Sequence, residues 1–300
     1  MGWTGIRILG PGDVDSLMDP LLMVEEIRRV LMDEEAVEAP RTSLEHGGSW
    51  FGVMPAAGRG FYSLKLVGVY PGNPGRGLPL VRGRLLLVNA QSGEVLLDAD
   101  AGPATGWRTA AATALALELL GGTRGVLGMI GAGVQARYHL EVLTRLYDYT
   151  RVLVYSRSRG RAEDLARRYN GSAASLEEVL RASDVIVAAT TATEPVVRGS
   201  MLGEDVVVAS VGAPKPVREL DGETLSRASC ILIDTPMVLE ESGDVTPKTA
   251  PRRKIAELRG LLRGREKCPG SGVRVYKSVG RPLFDLAAAI LLHDRLEHVP

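Results

Sequence analysis

The sequence has few cysteines. Cys230 lies in the apolar run CILID and Cys268 in a polar loop before Pro269, without a CxxC pair or a Cys/His spacing typical of a metal site. Two such isolated residues predict neither a disulfide framework nor a zinc site. We therefore assign no metal ligands.

The chain also lacks an excess of charge of either sign, since 36 Lys and Arg residues balance 36 Asp and Glu residues. A balanced chain has no overall field that would attract nucleic acid or an anionic membrane. The composition therefore predicts no nucleic-acid partner and no membrane partner, and it favours a small molecule.

Long hydrophobic runs are missing as well. No apolar run approaches 18 residues, and the N-terminus has no basic segment followed by an apolar one. We therefore expect a cytoplasmic protein. Its 300 residues can form one large or two medium domains.

The most informative stretch runs from Gly125 to Tyr155. A short apolar run typical of a buried parallel strand, Val126 to Ile130, leads into GAGVQA, a G-x-G-x-x-A pattern. A helix is predicted from Val134 to Tyr147, and a second apolar strand from Val152 to Tyr155. Glycine turns between strand and helix also occur for packing alone, but this context favours a dinucleotide site.

Each small residue of the turn has its own role in that interpretation. Gly131 permits the tight turn, Gly133 lets the backbone approach a pyrophosphate, and Ala136 allows the helix to pack on its strand. The first N–H groups of the helix and the positive end of its dipole would bind the diphosphate. The candidate cofactor-binding residues here are Gly131, Gly133, Val134, Gln135 and Ala136.

The end of the second strand indicates which dinucleotide binds. NAD-binding proteins usually carry an acidic residue there for the ribose, whereas this chain has Ser156, Arg157, Ser158 and Arg161. Guanidinium and hydroxyl groups suit a 2′-phosphate. The alternative is an ordinary basic first turn of a solvated helix. We predict NADP(H) in preference to NAD(H).

The N-terminal part has a different sequence pattern from the stretch around the glycine turn. Residues 13–38 have the apolar spacing of one or two amphipathic helices, and residues 40–100 form short β-like runs with glycine punctuation. These runs suggest an antiparallel meander with a hairpin turn at Gln91-Ser92-Gly93. Thr109 to Leu120 is a strong helix former that stops at Gly121-Gly122, where we place the domain boundary.

Alternation of strands and helices continues after Tyr155. Helical segments are predicted at Arg161 to Tyr169 and after Ser175, and strands at Val185 to Ala189, Val206 to Val211 and Cys230 to Asp234. This alternation predicts a doubly wound parallel sheet of the Rossmann type. Its ligand face should lie at the carboxyl ends of the strands, near Thr190, Thr191, Val211 and Gly212. A mostly apolar final helix, Leu283 to Leu292, should return to the first domain.

Several stretches together resemble the ornithine cyclodeaminase/mu-crystallin family, which includes ketimine reductases and archaeal alanine dehydrogenases. They are MPA at 54–56, LKLVGVYPGNPGRGLP at 64–79, TGWRTAA at 105–111, IGAGVQARYHL at 130–140, VGAPKPVREL at 211–220 and YKSVG followed by DL within 276–286.

The resemblance implies an α/β protein in which a Rossmann-type domain is accompanied by an α+β substrate and dimerisation domain built from both chain ends. In this chain the α+β domain would comprise residues 1–121 completed by 278–300, and the Rossmann domain residues 122–277. It also implies a homodimer formed through the β-rich domain, with residues 40–100 and the terminal helices at the interface.

The resemblance further implies site residues. Arg41 would clamp a substrate carboxylate, and Lys65 would stand beside the reacting carbon as proton donor. Arg108 would reach the cofactor phosphates, and Ser278 and Val279 would close over the nicotinamide and the substrate. For Arg41 or Lys65 alone, a surface charge is the simpler interpretation, although Lys65 lies between apolar residues of a strand, where an unpaired charge is unfavourable.

One departure from the family pattern bears on the reaction. Cyclodeaminases and archaeal alanine dehydrogenases of the family carry an aspartate just after the glycine of the VGAPKP stretch, whereas this chain has Ala213 or a one-residue deletion there. Mu-crystallin-like ketimine reductases also lack that aspartate. The resemblance therefore implies an NADPH-dependent reductase of a small carboxylated imino (ketimine) or 2-oxo acid.

Three alternatives remain. Alanine dehydrogenase-like chemistry and ornithine cyclodeamination are disfavoured by the missing aspartate. A non-catalytic protein that binds NADPH and a carboxylated ligand is disfavoured by Lys65, since a binder has no chemical need of it.

Overall fold

The computed structural model describes residues 5–212 and 214–297. The chain divides into two compact units. Unit 1 comprises Met1–Ala111 and Arg281–Pro300, and unit 2 comprises Ala112–Gly280. The boundary after residue 111 falls inside a helix, ten residues before the Gly121-Gly122 boundary expected from composition.

Unit 1 is an α+β unit whose elements come from both chain ends. Numbered along the whole chain, they are β1 (Arg7–Leu9), α1 (Pro11–Leu17), α2 (Pro20–Met32), β2 (Val37–Glu38), β3 (Thr42–His46), β4 (Ser49–Gly58), β5 (Phe61–Val69), β6 (Val81–Asn89), β7 (Val95–Asp100), the first part of α3 (Ala101–Leu120) and α10 (Pro282–Glu297).

The sheet of unit 1 has seven strands in the order β1-β7-β6-β5-β4-β2, with β3 also paired to β4. The predicted antiparallel meander is present from β4 to β7. The sequence did not predict β3, which pairs antiparallel with β4, and β1 runs parallel to β7. At the predicted hairpin turn, the Asn89 side chain accepts hydrogen bonds from the Gln91 and Ser92 amides, and Gly93 has φ +73°. Helix α10 packs against β4 and β5.

Two helices of unit 1 differ in extent from the prediction. The amphipathic stretch at 13–38 is two helices, because Pro20 begins the second one at a first-turn position that tolerates proline. Helix α3 begins at Ala101 rather than Thr109. Gly102, Pro103 and Gly106 concealed its first turns in the sequence, yet Pro103 lies in the first turn, where its missing N–H is not needed.

Unit 2 alternates strands and helices. Its further elements are β8 (Gly125–Ile130), α4 (Val134–Leu146), β9 (Tyr149–Tyr155), α5 (Arg159–Arg168), β10 (Ser172–Ala173), α6 (Leu176–Ala182), β11 (Val185–Ala188), β12 (Val206–Ser210), α7 (Gly222–Arg227), β13 (Ala228–Ile233), α8 (Val238–Glu241), β14 (Ile255–Glu257), α9 (Leu258–Leu262) and β15 (Val273–Lys277).

These strands form an eight-stranded, entirely parallel sheet in the order β10-β9-β8-β11-β12-β15-β13-β14. The prediction of a doubly wound Rossmann-type sheet is confirmed. The sequence did not reveal β15, the last strand in the chain, which lies inside the sheet between β12 and β13. Its position brings Ser278 to the same sheet edge as the end of β12, where the Ser278 amide donates to Ser210 O at 3.0 Å.

The prediction that the cysteines form no disulfide is wrong. The structure joins Cys230 and Cys268, with their Cα atoms 5.5 Å apart. Cys230 lies in β13, and Cys268 lies in the loop leading into β15, the strand that pairs with β13. The 38-residue separation concealed the pair, because only the insertion of β15 beside β13 brings the two residues together.

No helix within residues 5–212 and 214–297 is long and apolar enough to cross a membrane. The described residues also contain no group of three or more His, Cys, Asp or Glu side chains that could hold a metal ion. The cytoplasmic location stays a prediction.

Candidate functional site

The glycine-rich turn of unit 2 connects the end of β8 to the start of α4. Gly131 has φ +120°, and a Cβ there would stand 2.5 Å from Ala189 O, so only glycine fits. The Gly131 amide donates to Tyr155 O at 2.8 Å, which ties the turn to the end of β9. The turn therefore lies at the carboxyl edge of the parallel sheet, where ligands of such sheets bind.

The start of α4 has the features that a diphosphate requires. Gly133 is its N-cap residue and provides no capping side chain, and no described atom lies within 4 Å of the position of a Cβ at Gly133. The Val134 side chain is 66% exposed, while Ala136 is buried. The first helical N–H groups, including that of Gln135, have no partner within the helix and can donate to an anion.

The residues after β9 provide a cationic surface. Arg157, Ser158 and Arg161 are exposed, and the Ser156 hydroxyl accepts a hydrogen bond from the Ser158 amide at 3.3 Å. Arg159 is paired with Glu163 at 2.8 Å, but within the described part of the chain neither Arg157 nor Arg161 has a carboxylate partner. Two guanidinium groups are thus available for a phosphate.

The ends of β11 and β12 are held together by one buried carboxylate, Glu219. Glu219 Oε1 accepts hydrogen bonds from the Thr190 amide at 2.6 Å and from its hydroxyl at 2.9 Å. Glu219 Oε2 accepts from the Ser210 hydroxyl at 2.7 Å and from the Gly212 amide at 2.8 Å. A Cβ on Gly212 would lie 2.7 Å from Glu219 Oε1, so glycine is required for this approach.

A buried lysine completes this cluster. Lys277 Nζ, at the end of β15, donates to Ser210 Oγ at 2.9 Å, Gly212 O at 2.8 Å and Asp244 Oδ2 at 2.9 Å. Asp244 Oδ1 in turn accepts the Glu219 amide at 2.8 Å. Burial raises the pKa of the Glu219 carboxyl, while the Lys277 charge and the hydrogen bonds to Glu219 partly offset that effect.

The turn after β15 is ordered by another buried carboxylate. Asp234, just after β13, accepts hydrogen bonds from Ser278 Oγ at 2.7 Å, from the Val279 amide at 3.2 Å and from the Gly280 amide at 2.8 Å. The Ser278 hydroxyl is therefore engaged within the protein.

At this edge Thr190, Val211, Gly212, Ser278 and Val279 are brought together by contacts along β11, β12 and β15. Thr191 is exposed next to Thr190. The predicted departure at Ala213 lies outside the described residues.

In unit 1, Lys65 lies in the middle of β5 on the face covered by α10 and is 2% exposed. Its ammonium donates to Asp285 Oδ1 at 2.9 Å and lies 2.8 Å from Asp285 Oδ2. Arg108 Nε donates to Asp285 Oδ1 at 3.0 Å. Arg41, just before β3, is close enough to influence Lys65 electrostatically. The structure thus brings two predicted cations, Lys65 and Arg108, together on one carboxylate, with Arg41 near Lys65.

The surroundings shift the proton affinity of Lys65. The pKa of its ammonium is lowered from 10.5 to about 8, chiefly because burial disfavours the charged form. The Asp285 carboxylate partly offsets this lowering, whereas the positive charges of Arg108 and Arg41 contribute to it. Lys65 can therefore gain and lose a proton close to neutral pH.

The prediction named the cations and missed the carboxylates that hold them. Asp285 is a lone charge within the apolar run PLFDLAAAILL, and Lys277 ends the buried strand VRVYK. A charge isolated in a buried segment signals a specific partner, because burying it unpaired is unfavourable. That signal gives no identity for the partner, which for Lys65 is 220 residues away.

Known proteins resemble this chain in sequence and in structure. A sequence model described as the ornithine cyclodeaminase/mu-crystallin family matches residues 14–299. Ketimine reductase mu-crystallin of Mus musculus is 34% identical over 257 residues, covering 83% of this chain and 81% of the relative. Δ1-pyrroline-2-carboxylate reductase 2 of Burkholderia ambifaria is 33% identical over 259 residues, covering 84% and 82%.

A solved structure extends the similarity to the whole fold. Δ1-pyrroline-2-carboxylate reductase of Thermococcus litoralis, in complex with NADH and L-proline, superposes with a TM-score of 0.90 at 29% identity, covering 98% of each chain. The sequence match over almost the whole chain and the shared fold lead to one conclusion. The chain belongs to the ornithine cyclodeaminase/mu-crystallin family.

Proposed function

We propose that this oxidoreductase of the ornithine cyclodeaminase/mu-crystallin family reduces a small carboxylated imino (ketimine) or 2-oxo acid with NADPH. The observation that carries the proposal is the buried cluster of Lys65, Asp285 and Arg108 with Arg41 close by. Two cations, Lys65 and Arg108, share the one carboxylate of Asp285, so this cluster has a net positive charge. It suits a carboxylated substrate, and its lysine can exchange a proton near neutral pH.

The residues of the chain have separate tasks in this reaction. A bound nicotinamide dinucleotide supplies the hydride. The open N-terminus of α4 and the glycines before it suit the diphosphate. Arg41 would hold the substrate carboxylate, and Lys65 would give its proton to the imino nitrogen or oxo oxygen as the neighbouring carbon is reduced.

The names of several relatives support reduction as the direction of the reaction. The mouse relative is a ketimine reductase, and the Burkholderia and Thermococcus relatives are Δ1-pyrroline-2-carboxylate reductases. The solved Thermococcus enzyme contains NADH, so the NADP(H) preference proposed here rests on the arginines of this chain.

Steady-state oxidation of NADPH tests the proposal. The purified protein is supplied with cyclic imino acids, pyruvate and other 2-oxo acids, and the absorbance of NADPH is followed. We expect turnover with at least one carboxylated imine or oxo acid and none with the matching amide, which lacks the carboxylate. Tight NADPH binding without turnover of any of these compounds would instead support a binding protein.

The cofactor preference gives a separate prediction. Arg157→Asp should weaken NADPH binding roughly tenfold to a hundredfold relative to NADH, because a charge-assisted contact to the 2′-phosphate is replaced by repulsion. Arg168→Asp, at the far end of α5, is the matched control and should leave the ratio unchanged. Fluorescence titration with both dinucleotides measures the effect. A preference for NADH in the unmodified protein would contradict the assignment.

We also propose that the protein is a homodimer formed through the β-rich unit. The outer face of the unit 1 sheet, opposite Lys65, carries apolar side chains on adjacent strands. Leu44 pairs across the sheet with Phe51, and the two side chains are 69% and 36% exposed. Tyr62, on β5, is 53% exposed. Exposed apolar groups that are contiguous on a sheet are typical of an interface.

Light scattering coupled to gel filtration tests this assembly. We expect a mass of twice the 32.1 kDa chain for the unmodified protein. Phe51→Glu should shift the mass towards the monomer, because it would bury a charge in the interface. Lys248→Glu, at an exposed site in unit 2, should not. A stable monomer at micromolar concentration would rule out the proposed dimer.

A further inference from the structure

We propose that Asp285 is a positioning residue for the proton donor: its carboxylate orients the Lys65 ammonium and keeps it protonated at neutral pH. This inference rests on the proposed function of Lys65. It assigns to Asp285 a role in the reaction besides its contribution to packing.

Geometry supports the orienting role. Both carboxylate oxygens of Asp285 lie within 2.9 Å of Lys65 Nζ. Asp285 is 1% exposed and lies in the first turn of α10, which packs on the strand that carries Lys65. Two contacts from a carboxylate fixed on a packed helix restrict a long, otherwise flexible side chain to one direction.

The charges around Lys65 explain why a carboxylate is needed. Across the sheet from Lys65 lie two apolar residues, Met54 on β4 and Leu85 on β6. The charged groups that act on it are Asp285 from α10, Arg108 from α3 and Arg41 before β3. Asp285 is the one anion in this set, so its removal would leave the ammonium buried among positive charges.

Arg108 holds the Asp285 carboxylate in place. It donates to Asp285 Oδ1, the same oxygen that accepts from Lys65. Arg108 therefore fixes the carboxylate in the orientation in which it contacts Lys65.

The direction of the pH effect follows from these charges. A proton donor works only while protonated, so reduction should slow as the pH rises through the Lys65 pKa of about 8. Asp285 raises that pKa. In Asp285→Asn the pKa should fall by about one unit or more, because an opposite charge within hydrogen-bond distance is lost. The alkaline limb of the rate profile should move to lower pH by the same amount.

The kinetic test compares kcat against pH for the unmodified enzyme and three variants. Asp285→Asn should move the alkaline limb, while Asp285→Glu retains the charge and should restore its position with a reduced kcat. Asp294→Asn makes the same chemical change on an exposed part of α10 and should leave the profile unchanged. A merely structural role would lower kcat at every pH without moving the limb, and that result would overturn the proposal.

A second measurement does not depend on turnover. Only six lysines occur in the chain, so lysine labelled with ¹³C at Cε should give few NMR signals, and that of Lys65 is identified by its loss in Lys65→Met. Its titration midpoint should be lower in Asp285→Asn than in the unmodified protein. Equal midpoints in the two folded proteins would overturn the inference, even if the substrate proposal held. Shifted midpoints without any reductase activity would instead count against the proposed function alone.

A second variant keeps the proposal testable if Asp285→Asn does not fold. Circular dichroism shows whether Asp285→Asn retains its secondary structure. If it does not, Asp285→Glu decides: a midpoint close to that of the unmodified protein with turnover reduced severalfold supports positioning by a charge, and unchanged turnover overturns it.

Discussion

Replacing Lys65 with methionine should lower kcat by at least about a hundredfold, the usual scale for removing a positioned proton donor. The affinity for NADPH should change severalfold at most, because the glycine turn and the N-terminus of α4 belong to the other unit. Methionine retains most of the length and the apolar stem of the lysine. Asp285 also keeps its hydrogen bond from Arg108, so its carboxylate is not left unpaired.

Stopped-flow and steady-state assays on an identified substrate measure this effect, and fluorescence titration measures nucleotide binding. Arg84→Met is a matched control. Arg84 on β6 is the cross-strand neighbour of Leu66, so its side chain lies on the sheet face opposite that of Lys65, where it forms an ion pair with Asp98. We expect near-normal turnover from that variant. Retention of near-normal turnover by Lys65→Met would remove Lys65 as the donor and make Arg41, or a water molecule that it holds, the better candidate.

The largest effect on stability is expected at the second buried lysine. Lys277→Met removes the cation that faces Asp244, Ser210 and the Gly212 carbonyl in a fully buried position. Breaking a buried ion pair on one side destabilises a protein by about 3–5 kcal/mol, because the remaining charge stays buried without compensation. Urea unfolding should show a loss of that size, while Lys248→Met, at an exposed site, should change stability by less than about 0.5 kcal/mol.

The pH dependence of this variant distinguishes charge from packing. Burial already raises the pKa of the Glu219 carboxyl, and loss of the Lys277 charge should raise it further above the unfolded value. The folded variant then binds more protons than the unfolded chain, so its stability falls as pH rises and recovers as pH falls towards the ordinary carboxyl range. The stability gap to the unmodified protein should therefore narrow in acid. A gap that is independent of pH would indicate lost packing instead.

Nucleotide binding should weaken in the same variant. Lys277, together with Glu219, fixes Gly212 and Thr190 at the carboxyl edge of the sheet. This expectation separates Lys277 from Lys65, whose replacement should spare nucleotide binding. The two lysines thus have different tasks, although both are buried and both are paired with an aspartate.

Local signals were enough to predict the glycine-rich turn. Strand, glycines and helix follow one another within a few residues from Gly125, and each has a pattern that can be recognised from a short stretch of sequence. The requirement for glycine at Gly131 is also partly local, since its φ is positive. The alternation of short β-like runs and glycines likewise predicted the meander from β4 to β7, and apolar runs predicted most of the parallel strands.

The order of the strands in the sheet could not be predicted from such local signals. The short strand β15 follows a long irregular stretch, and its sequence does not state that it enters the sheet between β12 and β13. That insertion decided two further features. It placed Lys277 and Ser278 beside Ser210, and it brought Cys268 to Cys230. The first of these features became part of the candidate site, and the second overturned the expectation of unpaired cysteines.

The sequence by itself determined the fold class, the glycine turn and the absent acidic residue after β9, because each depends on residue type and on spacing over a few neighbours. The cations Arg41, Lys65 and Arg108 were expected only because the chain resembles the family. Only the tertiary structure decided which carboxylates pair with the buried cations. Asp285 pairs with Lys65 and Arg108. At the carboxyl edge of the parallel sheet, Glu219 and Asp244 surround Lys277. The physical reason is that a buried charge demands a partner but does not specify which one, and the partner is chosen by the packing of segments far apart in the chain.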